Sequence, residues 1–377
     1  MKIVIAPDSF KECLSARLAA ETIAEGIKSV LPKIECVCVP VADGGEGTMT
    51  ALVEATDGFM LSKRVCGPLG KIVNASYGIL GDGKTAVIEM ATASGIELLR
   101  KEERNPMWTT SFGTGELVLA ALDRGVNKII VAIGGSATND GGIGMLQALG
   151  AKLMDSSGNQ VGFGGGSLID IMSIDISTMD PRLAKTEIVV ACDVDNPLTG
   201  ENGASIIFGP QKGATPEMSV LLDRNMKHFA SCIRKFLNVD VEFTKGAGAA
   251  GGMGAALMAF LKAELKPGIE IVLDTVELEK YLLDADLVIT GEGKIDGQTL
   301  HGKTPVGVSK LAQKNNIQTI AIAGVVGDGT DALKQAGIVA CFSVTQGPCE
   351  LDNAIQNGKD NLFKTSKQVA GLLSLFV

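Results

Sequence analysis

Aromatic side chains are scarce in this 377-residue chain, at 4%, and Trp108 is its only tryptophan. Single-stranded nucleic-acid binding relies on stacked rings, so that class of function is disfavoured. There are only two histidines, His228 and His301, and none of the eight cysteines forms a Cys-x-x-Cys pair. Zinc sites and c-type haem are disfavoured on the same count. Basic residues are in deficit, 34 against 43 acidic, for a net charge of −9. Such a surface attracts neither nucleic acid nor an anionic membrane, so neither is expected as a partner. An anionic substrate would have to be met locally, by helix N-termini, backbone amides, single lysines and a bound cation. Long apolar runs are missing as well. The apolar run Ile3 to Ala6 is too short for a signal peptide and Asp8 soon follows it, and no stretch is long enough to span a membrane. The expectation is a reduced, soluble, cytoplasmic protein.

What is present is apolar residue and glycine. Hydrophobic residues make up 46% of the chain and glycines number 47, without a collagen period. Such a chain builds a core, and its length allows two domains. Glycines cluster where apolar runs end, the habit of an α/β protein with ligand-facing turns. Met1 to Asp8 reads as a buried strand. Ser15 then caps a helix with Leu18, Ala19, Ile23 and Ile27 at helical spacing. A strand from Glu35 to Val41 leads through Asp43-Gly-Gly-Glu46 into a helix ending near Thr56. In an open parallel sheet, ligands bind outside the carboxyl ends of the strands. Asp8, Ser9, Lys11, Asp43 and Glu46 therefore stand where a site would be, although Asp8 and Asp43 are also residues that cap and turn.

The pattern then changes. Short strands at Leu61–Cys66, Ile72–Leu80 and Thr85–Met90 follow one another like an antiparallel meander or mixed sheet. Further on come a strand at 187–192 that exits at Asp193, a helix over 216–237 and a short strand at 239–243. Strand–helix alternation returns after about Lys266. Strands are expected at 285–290, exiting through Gly291, Glu292, Lys294 and Asp296, at 317–323 and at 338–344, with one helix over 351–373. The ends of the chain share a style that the middle lacks. This predicts an α/β protein with a doubly wound parallel-sheet domain from residues 1–60 and 264–377 and an inserted mixed-sheet domain, 61–263.

Three glycine motifs need weighing. The strand Lys128 to Ile133 runs into Gly134, Gly135, Ser136, Thr138, Asn139 and Asp140, then more glycine and a helix. Glycines there let backbone amides approach an anion, and the helix adds its positive end. Gly246-Ala-Gly-Ala-Ala-Gly251 fits a dinucleotide fingerprint, with tight helix packing as the plainer reading. Gly297 to Thr304 fits the letters of a phosphate-binding loop. There Gly291 to Asp296 intervene after the expected strand, so a chance match is preferred, with Lys303 kept as a local cation for phosphate.

Segments such as Ile5-Ala-Pro-Asp-Ser-Phe-Lys-Glu12, Val39-Pro-Val-Ala-Asp-Gly-Gly-Glu-Gly-Thr48, Ile133-Gly-Gly-Ser-Ala-Thr-Asn-Asp-Gly-Gly142, Ala191-Cys-Asp-Val-Asp-Asn-Pro-Leu198, Ile207-Phe-Gly-Pro-Gln-Lys-Gly213 and Ile289-Thr-Gly-Glu-Gly-Lys-Ile-Asp296 resemble the class I glycerate kinases of bacteria. Phe10 stands where that family often has Tyr, and Thr304 where it has other residues. The resemblance implies a flavodoxin-like domain and a second α/β domain with the active site in a cleft between them. It also implies ATP-dependent phosphorylation of D-glycerate to 2-phosphoglycerate with Mg²⁺. Such transfer is positioning and charge neutralisation. Under that reading Asp193 is the carboxylate that orients the hydroxyl. Asp8, Asp43 or Asp296, with Glu46, supplies the metal-side carboxylates, and Asp8, Lys11 and Lys294 sit at the reaction. Lys11, Lys212 and Lys294 are candidate clamps for phosphate or carboxylate, with Lys303 a local cation and Ser9, Gly291, Glu292 and the Gly134–Asp140 stretch binding beside them. A homo-oligomer is left open. Two other classes remain at this stage, an NAD(P)-dependent hydroxy-acid dehydrogenase using Gly246–Gly251 and a non-catalytic nucleotide-binding regulator.

Overall fold

The structure, a computed structural model, describes residues 1–300, 302–345 and 347–376. His301, inside the phosphate-loop match, and Gln346, in the expected exit of the last strand, lie outside the described residues. Among the described residues the strands are, in chain order, β1 (Lys2–Pro7), β2 (Glu35–Cys38), β3 (Phe59–Cys66), β4 (Ile72–Ile79), β5 (Thr85–Glu89), β6 (Lys128–Ala132), β7 (Lys152–Met154), β8 (Ser173–Asp175), β9 (Glu187–Ala191), β10 (Glu264–Lys266), β11 (Leu287–Ile295), β12 (Thr319–Val326) and β13 (Ile338–Ser343). The chain forms two compact units, Met1–Asp57 with Gly268–Val377, and Gly58–Pro267. The borders differ by a few residues from those expected, because β3 starts at Phe59 and β10 pairs with β9 in the sheet of the second unit.

In the first unit a five-stranded sheet runs in the order β13-β12-β11-β1-β2, parallel throughout. Counted within this unit alone, that is the order 2-1-3-4-5 of flavodoxin-like sheets, whose ligand crevice opens where the winding reverses, between β1 and β11. β1, the first half of β11 and the first five residues of β12 are buried, largely apolar runs, as strands covered on both faces must be. Ile3, Ile5, Ile289 and Ile322 are buried against the helix Ala16–Lys28 and the C-terminal helix. The Ser15 hydroxyl accepts from Leu18 N–H at 3.2 Å and starts the first of those helices.

Two expectations fail in this unit. The segment Gly291–Ile295, read as a loop, is the second half of β11, with Glu292 opposite Ala323 and Ile295 opposite Val326 of β12. Gly291 permits it, since a Cβ there would stand 2.0 Å from the Ile322 carbonyl oxygen. The closing helix is two helices, Leu351–Gln356 and Gly358–Leu373.

The second unit carries a six-stranded mixed sheet, β10-β9-β6-β5-β4-β3. β3, β4 and β5 are antiparallel neighbours, and β5, β6, β9 and β10 run parallel. One core joins the strands to helices Phe112–Leu122, Ile143–Ala148, Pro216–Leu237 and Ala249–Leu261. The small hairpin of β7 and β8 has no counterpart in the sequence reading. Val239–Phe243, expected as a strand, is irregular, which removes the strand that a dinucleotide fingerprint needs before its glycines. Those glycines pack backbone against backbone instead. A Cβ on Gly251 would lie 2.0 Å from the Thr138 carbonyl oxygen, and one on Gly248 2.2 Å from that of Pro197.

Candidate active site

In the first unit the crevice at the reversal point is a cavity of about 1010 Å³. Asp8, Ser9, Lys11, Asp43, Glu46, Glu292, Lys294 and Lys303 all line it. β1 delivers Asp8 there. Asp8 N–H donates to the Gly291 carbonyl at 2.8 Å, which pins the strand exit to β11. β11 delivers Glu292 one residue beyond the pairing of Pro7 with Gly291. Two carboxyl groups thus face one crevice from adjacent strands. Burial pushes Asp8 up to about 6, and the neighbouring Asp43 adds to the rise. The Thr304 hydroxyl opposes it, donating to Asp8 Oδ2 at 2.5 Å, as does Ser9 N–H, donating to Oδ1 at 2.6 Å. Glu292 is pushed up by burial as well, against the pull of Lys303, whose Nζ stands 3.4 Å from Oε2. Thr299 donates to Glu292 Oε1 at 3.0 Å.

The remaining expected residues of this unit divide. Asp43 Oδ1 accepts from Gly45 N–H at 2.8 Å. Lys11 and Glu46 pair at 3.4 Å on the exposed rim. Asp296 pairs with Lys294 at 2.9 Å, which holds its carboxyl below the usual carboxylate range. Gly291 lies inside β11 and acts by its missing side chain.

The second unit gathers its candidates at the carboxyl ends of β6 and β9, which pair up to Ala132 opposite Ala191. Gly134 and Gly135 are exposed, and Asp193 is exposed at the exit of β9. Behind the glycines everything is buried. Lys212, 1% exposed, donates to Ser136 Oγ at 2.7 Å and to the Thr138 carbonyl at 2.6 Å. Burial lowers its pKa to about 7, with Asp140 acting in the opposite sense. Asn139 donates through Nδ2 to Ser205 Oγ at 2.9 Å. Thr138 Oγ1 and Asn139 Oδ1 are buried without a hydrogen-bond partner. Asp140 turns inward. Its Oδ1 accepts from Gly142 N–H at 3.0 Å, and its Oδ2 from Ser111 N–H and Oγ, both at 2.8 Å, and from Gly144 N–H at 3.3 Å. Burial raises the Asp140 pKa while these donors favour its charged form. Its oxygens are committed to folding the glycine stretch onto the start of the helix Ile143–Ala148.

Sequence reasoning passed over Ser111, Thr299 and Thr304 as partners of acids. Each meets a carboxylate across a gap in sequence, except Thr299, and a lone hydroxyl carries no spacing signal.

Residues 3–374 match the glycerate kinase family. This chain belongs to the glycerate kinase family. Among its relatives, the "Glycerate 2-kinase" of Escherichia coli K12 is 57% identical, with 100% of this chain and 98% of the relative covered. The "Glycerate kinase" of Bacillus subtilis 168 is 53% identical over the same shares. The crystal structure of a "putative glycerate kinase 2" from Salmonella typhimurium LT2 superposes with a TM-score of 0.93 at 53% identity, covering 100% of this chain and 98% of that one. In this family member no described helix is long and apolar enough to cross a membrane.

Proposed function

We propose that the protein transfers the γ-phosphoryl group of ATP to a hydroxyl of D-glycerate, giving 2-phosphoglycerate and ADP, in the cytoplasm where ATP is supplied. The observation that carries the chemistry is Asp8, a half-buried carboxyl at the reversal point of a flavodoxin-like sheet, with a pKa raised to about 6. A base works best when its pKa lies close to the working pH. Asp8 takes the hydroxyl proton as the new O–P bond forms and the bond to the ADP oxygen breaks. Lys303 and Lys294, on the same cavity, are cations for the phosphates or the glycerate carboxylate. The exposed backbone of Gly134 and Gly135, backed by Ser136 and Lys212, is a cradle for a second anion.

Mg²⁺ in such reactions takes one or two carboxylates and leaves its other positions to phosphates and water. The donor set fits that habit. Asp43 and Glu46 line the cavity and would offer carboxylate oxygens to the ion. When bound, the ion neutralises charge on the transferring phosphoryl group. Asp296, committed to Lys294, is assigned to holding that lysine.

The test is ATP turnover with D-glycerate, with the product offered directly to enolase, which accepts 2-phosphoglycerate and not the 3-isomer. ADP release with no enolase signal would overturn the regiochemistry, and ATP binding without glycerate-dependent ADP release would leave a regulator. The Asp8→Asn variant is expected to lose activity by about 10²-fold or more. Asp193→Asn is measured beside it, and a larger loss there, with Asp8→Asn near native, would move the proton acceptor to Asp193.

A further inference from the structure

Of the stretch Gly297–Thr304, which spells a phosphate-binding loop, only Lys303 has a task in the reaction proposed above. Its setting is closer to such a loop than the sequence suggested. β11 continues to Ile295, a 3₁₀ turn covers Gly297–Leu300, and a helix runs from Thr304 to Lys314. The strand ends just before Gly297, so the spacing argument against a phosphate loop no longer applies.

The side chains decide the matter. In a phosphate loop the lysine and the hydroxyl at the end of the motif are turned to phosphate and Mg²⁺. Here Lys303 faces Glu292 Oε2 at 3.4 Å and Thr304 Oγ1 donates to Asp8 Oδ2 at 2.5 Å. Thr299, from the middle of the motif, donates to Glu292 Oε1 at 3.0 Å. Three side chains of one segment thus face the two carboxyl groups of the crevice. Thr304 is fully buried at the first position of its helix, so packing holds its side chain. Asp8 is gripped on both oxygens, Oδ2 by Thr304 from the helix and Oδ1 by Ser9 from its own loop. A carboxylate held in this way keeps one plane, and proton transfer is sensitive to that plane.

We propose that Thr304 is a positioning residue for phosphoryl transfer, which fixes the plane of the Asp8 carboxylate by a hydrogen bond from the start of the helix Thr304–Lys314. This rests on the reading of Asp8 as the proton acceptor. Through Thr299 and Thr304, the segment with the letters of a phosphate loop also supports the acid pair.

The experiment compares Thr304→Val, which keeps the shape and removes the donor, with Thr304→Ser, which keeps the donor. Thr304→Ala is a second donor-free variant should valine not fold, and urea midpoints report the fold of each. The expected result is a fall in kcat on the order of tenfold to a hundredfold in the donor-free variant, with KM for glycerate and for ATP within about twofold of native. Serine restores most of the kcat. Native kcat in a folded donor-free variant, alongside an inactive Asp8→Asn, overturns this inference and leaves the proposed function standing. So does a serine variant as slow as the donor-free one. A fully active Asp8→Asn overturns the assignment of Asp8 and this inference with it.

Discussion

At the scale of single residues, Lys212 shows how burial becomes a measurable property. Its ammonium is 1% exposed and, among the described residues, donates to two neutral oxygens, Ser136 Oγ and the Thr138 carbonyl. Desolvation disfavours the charged form, which is why its pKa falls to about 7. The unfolded chain restores a lysine near its usual value, about 10.4. Between pH 7 and 10 the unfolded state therefore binds more protons than the native one, and the contribution of this residue to stability rises with pH. Below pH 7 both states carry the charge and the native state bears the full desolvation penalty. The native protein should gain stability relative to Lys212→Met from pH 7 to 9.5, by at most about 1 kcal/mol per pH unit. Urea midpoints of the two proteins across that range measure it, and parallel curves would show that Lys212 keeps an ordinary pKa. The resemblance of Ile207–Gly213 to the glycerate kinases marks Lys212 as a clamp. Its complete burial depends on a partner loop some seventy residues away, and no local pattern carries that.

At the scale of elements, the helix Ala249–Leu261 organises the glycine stretch. It is kinked by Ala250, Gly251 and Gly252, with φ of 51°, 67° and 93°. Gly251 accepts at its carbonyl from Gly141 N–H at 2.9 Å, and its Cα lies against Thr138. Gly251→Ala meets a wrong backbone conformation and a clash with backbone at 2.0 Å. It should destabilise by about 2–4 kcal/mol and lower activity by moving Thr138 and Asn139. Gly134→Ala, where nothing lies within 4 Å, is the control and should leave the urea midpoint near native. Equal midpoints for the two variants would remove the packing role. Element boundaries were legible where local signals were complete. Thr215 caps the helix Pro216–Leu237 with Pro216 at its first position, and the expected and observed helices coincide. The second half of β11 is not legible along the chain, because Gly291-Glu-Gly-Lys294 has the composition of a turn. Its extension depends on pairing with β12, which is invisible to any window along the chain. The break at Asn357 in the last helix interrupts no hydrophobic period strongly enough to be read in advance.

At the scale of the whole molecule, the insertion has a consequence for folding. The core of the second unit runs from Val65 to Ala263 and is assembled entirely from one continuous piece of chain. The core of the first unit joins Ile3, Ile5 and Ile23 to Ile289, Ile322 and Val369, residues from the two ends. β1 has β2 on one side and β11 on the other, so residues 1–57 alone hold a central strand without half of its pairing. A unit with a continuous core of its own can fold from its own segment, whereas a unit built from two segments waits for the second. A fragment of residues 58–267 should therefore unfold cooperatively in urea with native-like circular dichroism, and residues 1–57 should be unstructured. The larger fragment should show no kinase activity, because Asp8, Glu292 and Lys303 all belong to the first unit. A 58–267 fragment that binds hydrophobic dye and melts without cooperativity would show that its core depends on the rest of the chain. In that case the two compact units would be one folding unit, and the middle of the chain would be an insertion in topology alone.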